Sequence, residues 1–230
     1  MLQKIRRYAA HRRELKDLDT ALSGGRQVSP PELVEASPTK AVWAVKVPGL
    51  ADRFMSASGT MVDEERYVVR VDTEAFYRAW LRSSTPTGSV LPSDCELRAN
   101  MPMDRKYRYA VDGFNEGRSN PVPLATVSAW LKGDQVQIEF TNGITRSFWL
   151  IANRAESFPV KVDNAEEAKL LNRVAGLDAA PQSFQDLFAA AKQQPAPRAS
   201  DAPRQAPRPQ PTQPIVARAS NSGPRRGRSR

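Results

Sequence analysis

The sequence has little of what disulfide frameworks, zinc sites and membrane spans require. Of its 230 residues one is a cysteine and one a histidine, so neither an intramolecular disulfide nor a Cys/His zinc cluster can form. No apolar run approaches the ~18 residues of a membrane-spanning helix, and the N-terminus lacks the apolar core of a secretory signal. We therefore expect a cytoplasmic protein of a reducing compartment, without a structural metal and without stable membrane insertion.

Positive charge is concentrated at the two ends of the chain. The formal net charge is +9, of which residues 1–16 carry +5 and residues 193–230 carry +7, so the stretch between them carries −3. Electrostatic attraction to nucleic acid would therefore come mainly from the ends, and charged loops of the middle would add local patches.

Four segments of different composition divide the chain. Residues 1–25 predict a basic amphipathic helix that could dock on its own domain, a partner, nucleic acid or an anionic membrane; its continuous apolar stripe favours docking on protein. Residues 26–40, with three prolines, are typical of a linker. Residues 41–192 predict one α/β (α+β) domain with a mixed sheet and flanking helices. Residues 193–230, with eight prolines and almost no large apolar residues, predict disorder.

Hydrophobic periodicity assigns the elements of the domain. Alternation predicts strands at 43–47, 65–71, 136–140 and 158–162, and a spacing of three to four predicts helices after 72, over 124–131, after 143, over 164–176 and over 183–192. Asp72 and Asn164 have the side chains of helix N-caps. All four tryptophans lie in these apolar patterns and are predicted to be structural: Trp43, Trp80, Trp130 and Trp149.

The stretch 135–151 combines a strand, a tight turn and a helix. Asn142 and Gly143 tolerate a left-handed backbone, and Thr145 and Arg146 follow in the first turn of the predicted helix. Such a turn points backbone N–H groups and the helix dipole at one place, which would suit a phosphate. An ordinary structural turn with a surface arginine is the alternative.

The stretch 83–121 is the least regular part, and it interleaves basic with aromatic residues. It could hold a nucleic-acid backbone while its aromatic side chains stack on bases, or it could be a solvated loop whose aromatic residues pack on the core. Asp112 and Glu116 lie close together there and could help hold a divalent cation. Its predicted nucleic-acid contacts are Arg105, Lys106, Arg108 and Arg118, and those of the C-terminal segment are Arg225, Arg226, Arg228 and Arg230.

Five blocks of sequence occur in a characteristic order, at 43–47, 72–80, 120–125, 140–146 and 158–162. Together they resemble the plasmid fertility inhibition factors, small proteins with which one plasmid blocks the conjugative transfer of a coresident plasmid. The resemblance spans about residues 41–163 and leaves out the N-terminal helix and the C-terminal segment.

The resemblance implies a small domain of the ParB/sulfiredoxin-like superfamily, in which a Gly-x-x-Arg turn between strand and helix binds nucleotide phosphate. The match runs from Gly143 to Arg146. It implies that Asn142 and Gly143 offer backbone groups, Thr145 a hydroxyl and Arg146 a positive charge. The cofactors stay unknown, with ATP and a divalent cation such as Mg²⁺ as the candidates. Ile144 and Thr145 stand where the family usually has a basic residue and a histidine. Ile144 also replaces the sulfiredoxin cysteine, which argues against peroxiredoxin repair.

The resemblance further implies action on DNA during transfer, with the transferred DNA and a coupling protein or other type IV secretion component as partners. Glu116 and Arg146 are then the candidate catalytic residues of a DNase or ATPase. The location implied is the bacterial cytoplasm, at the inner membrane only through the transfer machinery. A non-catalytic module that occludes this machinery and a DNA-binding plasmid regulator are the alternatives. The acidic middle and the lack of a helix-turn-helix pattern weaken the regulator.

Overall fold

The apolar alternation of the sequence builds two mixed β-sheets, around which the helices pack. The computed structural model describes residues 2–59, 65–83 and 95–193. The elements of these residues are, in chain order, α1 (Leu2–Ser23), β1 (Glu32–Ala36), β2 (Lys40–Val45), β3 (Arg53–Ser58), β4 (Tyr67–Asp72), α2 (Thr73–Ser83), α3 (Tyr107–Asn115), β5 (Val122–Pro123), β6 (Ala125–Lys132), β7 (Gln135–Asn142), α4 (Ile144–Ala152), β8 (Ser157–Val162), α5 (Ala165–Ala175), β9 (Gln182–Ser183) and α6 (Phe184–Gln193). A 3₁₀ turn, Arg98–Met103, precedes α3.

Each sheet combines parallel with antiparallel neighbours. The first has the strand order β1-β2-β3-β5, in which β5 runs parallel to β3 and the other neighbours are antiparallel. The second has the order β7-β6-β8-β4-β9, in which only β6 and β8 run parallel to each other. The predicted fold class, an α/β domain with a mixed sheet and an N-terminal helix, is confirmed.

The strands and helices with strong local signals form where the sequence predicts them. The strands β2, β4, β7 and β8 cover the four predicted alternating stretches. Asp72 caps α2, because its Oδ1 accepts hydrogen bonds from the amides of Glu74 and Ala75 at 2.8 and 3.0 Å. Asn164 caps α5 in the same way, accepting from the amide of Glu167 at 2.9 Å.

The predicted helix over 124–131 is wrong, because these residues form β6. The apolar spacing of Leu124, Val127 and Leu131 imitates a helix, but Val127, Ala129 and Leu131 also alternate as in a strand. The segment pairs with β7 along nearly its whole length, from Lys132↔Gln135 to Thr126↔Asn142, and this pairing makes it a strand. Strand pairing is an interaction with another segment, and the spacing of apolar residues within 124–131 does not indicate it.

The segment 26–40 differs from the predicted linker, because it contains β1. This strand pairs antiparallel with β2, from Glu32↔Ala44 to Ala36↔Ala41, with a register shift between Leu33 and Glu35. The prolines that suggested a linker, Pro30 and Pro31, come before the strand, where a missing N–H disturbs no ladder hydrogen bond.

The helix α1 docks on its own domain. Its His11 and Leu18 are buried, and His11 Nε2–H donates to the carbonyl of Leu81 in α2 at 3.0 Å. Glu14 Oε1 accepts from Tyr77 Oη at 2.9 Å, and burial raises the pKa of that phenol, so it stays protonated as a donor. The helix is therefore part of the folded unit.

An aromatic cluster fills the core between α2, α4 and the second sheet. Trp80 stacks on Phe148 with ring centroids 5.6 Å apart and meets Phe140 edge-on at 4.7 Å. Trp43, Trp80 and Trp149 are buried, as predicted, but Trp130 is 42% exposed, so the prediction that it is structural is wrong. Successive side chains of a strand point to opposite faces, so Trp130 and Leu131 lie on opposite faces of β6. Leu131 lies on the face toward the helices.

The predicted disordered segment, 193–230, lies outside the described residues except for Gln193, with which α6 ends. Its four predicted nucleic-acid contacts, Arg225, Arg226, Arg228 and Arg230, lie outside them as well. None of the helices in the described ranges is long and apolar enough to cross a membrane.

Candidate functional site

The turn between β7 and α4 has the geometry that its sequence predicts. The strand ends at Asn142, Gly143 takes the left-handed φ of 88°, and α4 begins at Ile144. A Cβ atom on Gly143 would lie 2.8 Å from Cα of Ala125 and 2.9 Å from Nε of Arg146. Glycine is therefore required both by the backbone angle and by the close approach of β6.

The first turn of α4 has amide groups without acceptors. Among the described residues, none accepts a hydrogen bond from the amides of Ile144, Thr145 or Arg146, and no side chain caps the helix. The first turn also contains no acidic residue. Free N–H groups and the positive end of the dipole together favour an anion at this place.

These amides face a cleft of about 410 Å³ between α4, α3 and the segment before β6. Lys106 and Tyr109 of the α3 region line its opposite side, and the Tyr109 ring is 74% exposed. Among the described residues of the lining there is no aspartate or glutamate, so no carboxylate of theirs repels a bound anion. The lining consists of Lys106, Tyr109, Ala110, Gly113, Asn120, Pro121, Val122, Pro123, Asn142, Gly143, Ile144, Thr145 and Arg146.

Arg146 ties α4 to the chain that leads into β6. Its Nη1 donates to the carbonyls of Pro123 at 2.5 Å and Leu124 at 3.2 Å. Burial lowers the pKa of the Arg146 guanidinium, which nevertheless stays charged because arginine does not deprotonate in proteins. Its Nη2 and Nε donate to no acceptor among the described residues, so part of the guanidinium remains available to a ligand in the cleft.

Glu116, a predicted catalytic residue, does not line the cleft. It is exposed at the end of α3, and its Oε2 accepts a hydrogen bond from Nδ2 of Asn120, which does line it. Asp112 pairs instead with Arg108 at 3.6 Å. In the part of the chain that the structure describes, no three His, Cys, Asp or Glu residues are grouped so that they could hold a metal ion. The carboxylates present therefore do not fit a Mg²⁺ site made by protein alone.

The predicted basic residues are distributed around α3. Lys106 lines the cleft, whereas Arg105 lies beside it on the surface, and neither side chain has an ion-pair partner in the described ranges. Arg118 Nη2 donates to the carbonyl of Val34 at 3.0 Å, which places it near β1. Of the predicted basic residues that the structure describes, only Lys106 and Arg146 line this cleft.

The interleaved aromatic residues divide between the two predicted roles. Phe114 is buried and stacks on Trp149 with centroids 4.4 Å apart. Tyr107 accepts a hydrogen bond from Nδ2 of Asn153 at 3.1 Å, and burial raises the pKa of its phenol. Tyr109 alone of the three has its ring in the open cleft.

The segment 120–124 forms one wall of the cleft, which the sequence does not predict. Its contacts with Arg146 join residues 22 and 23 positions apart. The local signal is the pair Pro121 and Pro123, which keeps this segment extended and leaves its carbonyls to side-chain donors.

Comparison with known proteins identifies relatives of the whole folded unit. Residues 68–176 match the family model of the Plasmid Fertility inhibition factor. Protein osa of Shigella flexneri is 36% identical over 181 residues, which cover 78% of this chain and 93% of that protein. A crystal structure of the Oncogenic Suppression Activity Protein, a plasmid fertility inhibition factor in its gold(I) cyanide derivative, superimposes with a TM-score of 0.67 at 34% identity, covering 82% of this chain and 96% of that one. This chain therefore belongs to the family of plasmid fertility inhibition factors.

Proposed function

We propose that this protein inhibits plasmid fertility by binding phosphate groups, of the DNA under conjugative transfer or of a nucleotide used in that transfer, in the cleft at the start of α4. The observation that carries the proposal is that the amides of Ile144, Thr145 and Arg146 have no acceptor among the described residues, and that these residues line one cleft together with Lys106 and with no carboxylate of the described residues. Such amides bind phosphate oxygens at little cost, because nothing has to be displaced from them.

Within this proposal the charged residues have different tasks. Lys106 supplies a mobile ammonium group, whereas Arg146, fixed by the carbonyls of Pro123 and Leu124, offers its remaining N–H groups in a defined direction. Asn142 and Gly143 allow a close backbone approach, and Thr145 adds a hydroxyl. This is the assignment that the family's Gly-x-x-Arg turn implies, extended by Lys106.

The exposed ring of Tyr109 supports a nucleotide or a strand of nucleic acid as the source of the phosphate. Tyr109 and Lys106 are three residues apart at the start of α3 and line the same side of the cleft. A base stacked on an aromatic side chain gains about 1–3 kcal/mol without base specificity. That gain suits DNA of any sequence and equally suits the adenine of ATP.

Binding, rather than cleavage, is the activity that we propose first. The cleft has no carboxylate of its own, and Glu116 reaches it only through Asn120. If ATP binds here, Mg²⁺ would take its ligands from the phosphates and from water. The place of action that we propose is the coupling protein of a type IV secretion system, through which the transferred DNA would pass.

Phosphate binding is tested with tripolyphosphate, ATP and a single-stranded oligonucleotide, titrated against the full chain by calorimetry. We expect Lys106→Ala and Arg146→Lys to weaken all three by about fivefold or more, since the first removes a charge and the second replaces the fixed N–H donors of a guanidinium by a single ammonium group. Lys132→Ala, which removes an exposed lysine of β6 outside the cleft, is the matched control. If both cleft variants bind all three probes like the wild type, the proposal is wrong.

Binding and cleavage are separated by a second experiment. The full chain is incubated with supercoiled plasmid and Mg²⁺, and the same variants are tested for suppression of mating. Nicking that Glu116→Gln abolishes would establish an enzyme. Suppression of mating that depends on Lys106 and Arg146 but occurs without nicking would establish the non-catalytic module.

A further inference from the structure

A second cleft, of about 460 Å³, lies on another part of the molecule, between the ends of α2 and α5 and the β6–β7 turn. The fertility-inhibition proposal does not use it. Three arginines from two helices line it, Arg78 and Arg82 of α2 and Arg173 of α5. Such convergence needs an explanation, because three guanidinium groups repel one another.

The carboxylates near these arginines do not neutralise them. Arg78 and Arg82 share one partner, Asp19 of α1, at 3.4 and 2.7 Å. Arg173 has no ion-pair partner among the described residues, and the buried Nε of Arg78 has no hydrogen-bond acceptor there. Asp134 also lines the cleft, so that three arginines lie near two carboxylates, those of Asp19 and Asp134, and positive charge is in excess.

The same cleft includes the edge of β7 that no other strand of the described residues covers. Ile138 directs its amide away from β6, because that amide donates to Oγ of Ser83 at 2.9 Å. Val136 precedes Ile138 by two residues in the same strand, so its N–H and C=O point to the same edge. Val136 lines the cleft, and its amide has no acceptor in the described ranges. An extended chain could therefore add to β7 at this residue.

Apolar side chains form part of the remaining lining, beside Gly133 and Gln135. Leu131, which is 50% exposed, lies there with Ala79 and Val174. A half-exposed leucine between arginines and a strand edge is the composition of a peptide-binding groove, in which backbone bonds give affinity and alternate side chains enter pockets.

We propose that this cleft binds an acidic, extended segment of a partner protein, with its carboxylates on Arg173 and Arg78, its backbone on Val136 and an apolar side chain on Leu131. The charge of the cleft excludes this chain's own residues 193–230, which carry +7. The backbone groups of the strand edge and the apolar side chains of Leu131, Ala79 and Val174 favour a peptide over a phosphodiester backbone.

The probe is a fluorescent octapeptide of alternating glutamate and valine, titrated against the full chain by anisotropy, with the glutamine/valine peptide as its uncharged match. We expect the glutamate peptide to bind about fivefold or more tightly than its match, and Arg173→Ala to remove that difference. Leu131→Ser should weaken both peptides. Lys169→Ala, which removes a cation of α5 outside the cleft, should change neither.

Arg173 is the informative position because it has no ion-pair partner among the described residues, so the thermal unfolding of Arg173→Ala should match the wild type. Equal binding of the two peptides, or binding that Arg173→Ala leaves intact, overturns the proposal. So does a failure of the glutamate peptide to bind at all. A loss of affinity for a duplex oligonucleotide in Arg173→Ala, without a loss for the peptide, would assign the cleft to nucleic acid and overturn it too.

Discussion

Gly143 is the residue on which the candidate phosphate site depends most, because conformation and space both require it. Its φ is 88°, and an added Cβ would meet Cα of Ala125 at 2.8 Å. Gly133 has a similar φ of 61°, but a Cβ there would meet nothing within 4 Å. The two glycines therefore separate backbone strain from steric overlap.

We predict that Gly143→Ala destabilises the protein by about 2–4 kcal/mol, and Gly133→Ala by about 1 kcal/mol. Urea unfolding of both variants measures the difference, and phosphate affinity should fall in Gly143→Ala alone. Equal costs would mean that β6 moves aside without penalty, and the close packing of the turn would then not be what selects glycine.

The tryptophans show that residue type and spacing alone do not establish burial. Trp80 lies in the aromatic core, whereas Trp130 is 42% exposed on β6. We predict that Trp80→Ala costs about 3–5 kcal/mol and Trp130→Ala less than 1 kcal/mol, since only the first leaves a cavity. Chemical denaturation measures both. A large cost for Trp130→Ala would mean that its half-exposed ring still contributes substantially to the core.

At the scale of elements, local signals were sufficient for β7, its turn and α4. Alternation, the Asn142–Gly143 pair and the apolar run that follows it are all contained in one short stretch of sequence. The same holds for α2 and α5, whose capping side chains precede them directly. The strands β1 and β6 form by pairing with the next strand of the chain, β2 and β7, and the residue spacing within each segment does not indicate this pairing, so local periodicity predicts a linker and a helix there.

The candidate site divides in the same way. The turn residues from Asn142 to Arg146 were predictable because the strand-turn-helix motif is local. The carbonyls that Arg146 binds, and the approach of Lys106 and Tyr109 to the turn, arise from tertiary packing and have no local signature. Glu116, a catalytic candidate from the family resemblance, lies outside the cleft lining in the structure and contacts Asn120, which belongs to that lining.

The helix α1 provides a test at the element scale, because one buried hydrogen bond connects it to α2. His11→Ala should cost about 2–3 kcal/mol, since it opens a cavity and leaves the carbonyl of Leu81 without its donor. Arg12→Ala, at the next and exposed position, should stay within about 0.5 kcal/mol. Thermal unfolding of both variants checks this. An unchanged His11→Ala protein would mean that α1 is detached in solution.

At the scale of the whole molecule, the chain belongs to the family of plasmid fertility inhibition factors, which connects its fold with fertility inhibition. Its membership of the ParB/sulfiredoxin-like superfamily stays a prediction from the Gly-x-x-Arg turn. The two clefts suggest how one small protein could engage two kinds of partner. Phosphate groups would bind at the start of α4, and an acidic segment would bind at the ends of α2 and α5. The two sites share no lining residue, so their variants should be separable in a mating assay.

The C-terminal segment contributes most of the net positive charge of the chain. Residues 194–230 carry eight arginines against one aspartate, a net +7, whereas residues 1–193 carry +2. Each phosphate that an arginine neutralises releases counterions and adds about 0.9 to the slope of log K against log salt for duplex DNA. We predict that deleting 194–230 weakens nonspecific duplex binding and reduces that slope, by up to about seven if every arginine contacts a phosphate.

The truncation leaves α6 intact, since this helix ends at Gln193. We therefore expect its thermal unfolding to match that of the full chain, and its affinity for tripolyphosphate to be unchanged, because the described residues that line the cleft at α4 all precede residue 194. Anisotropy titrations at several salt concentrations, with thermal melts of the same samples, provide the measurements. A clear fall in melting temperature would show that residues 194–230 pack on the folded unit, and an unchanged salt slope would place the DNA contacts elsewhere, with the exposed cations of α1 as the next candidates.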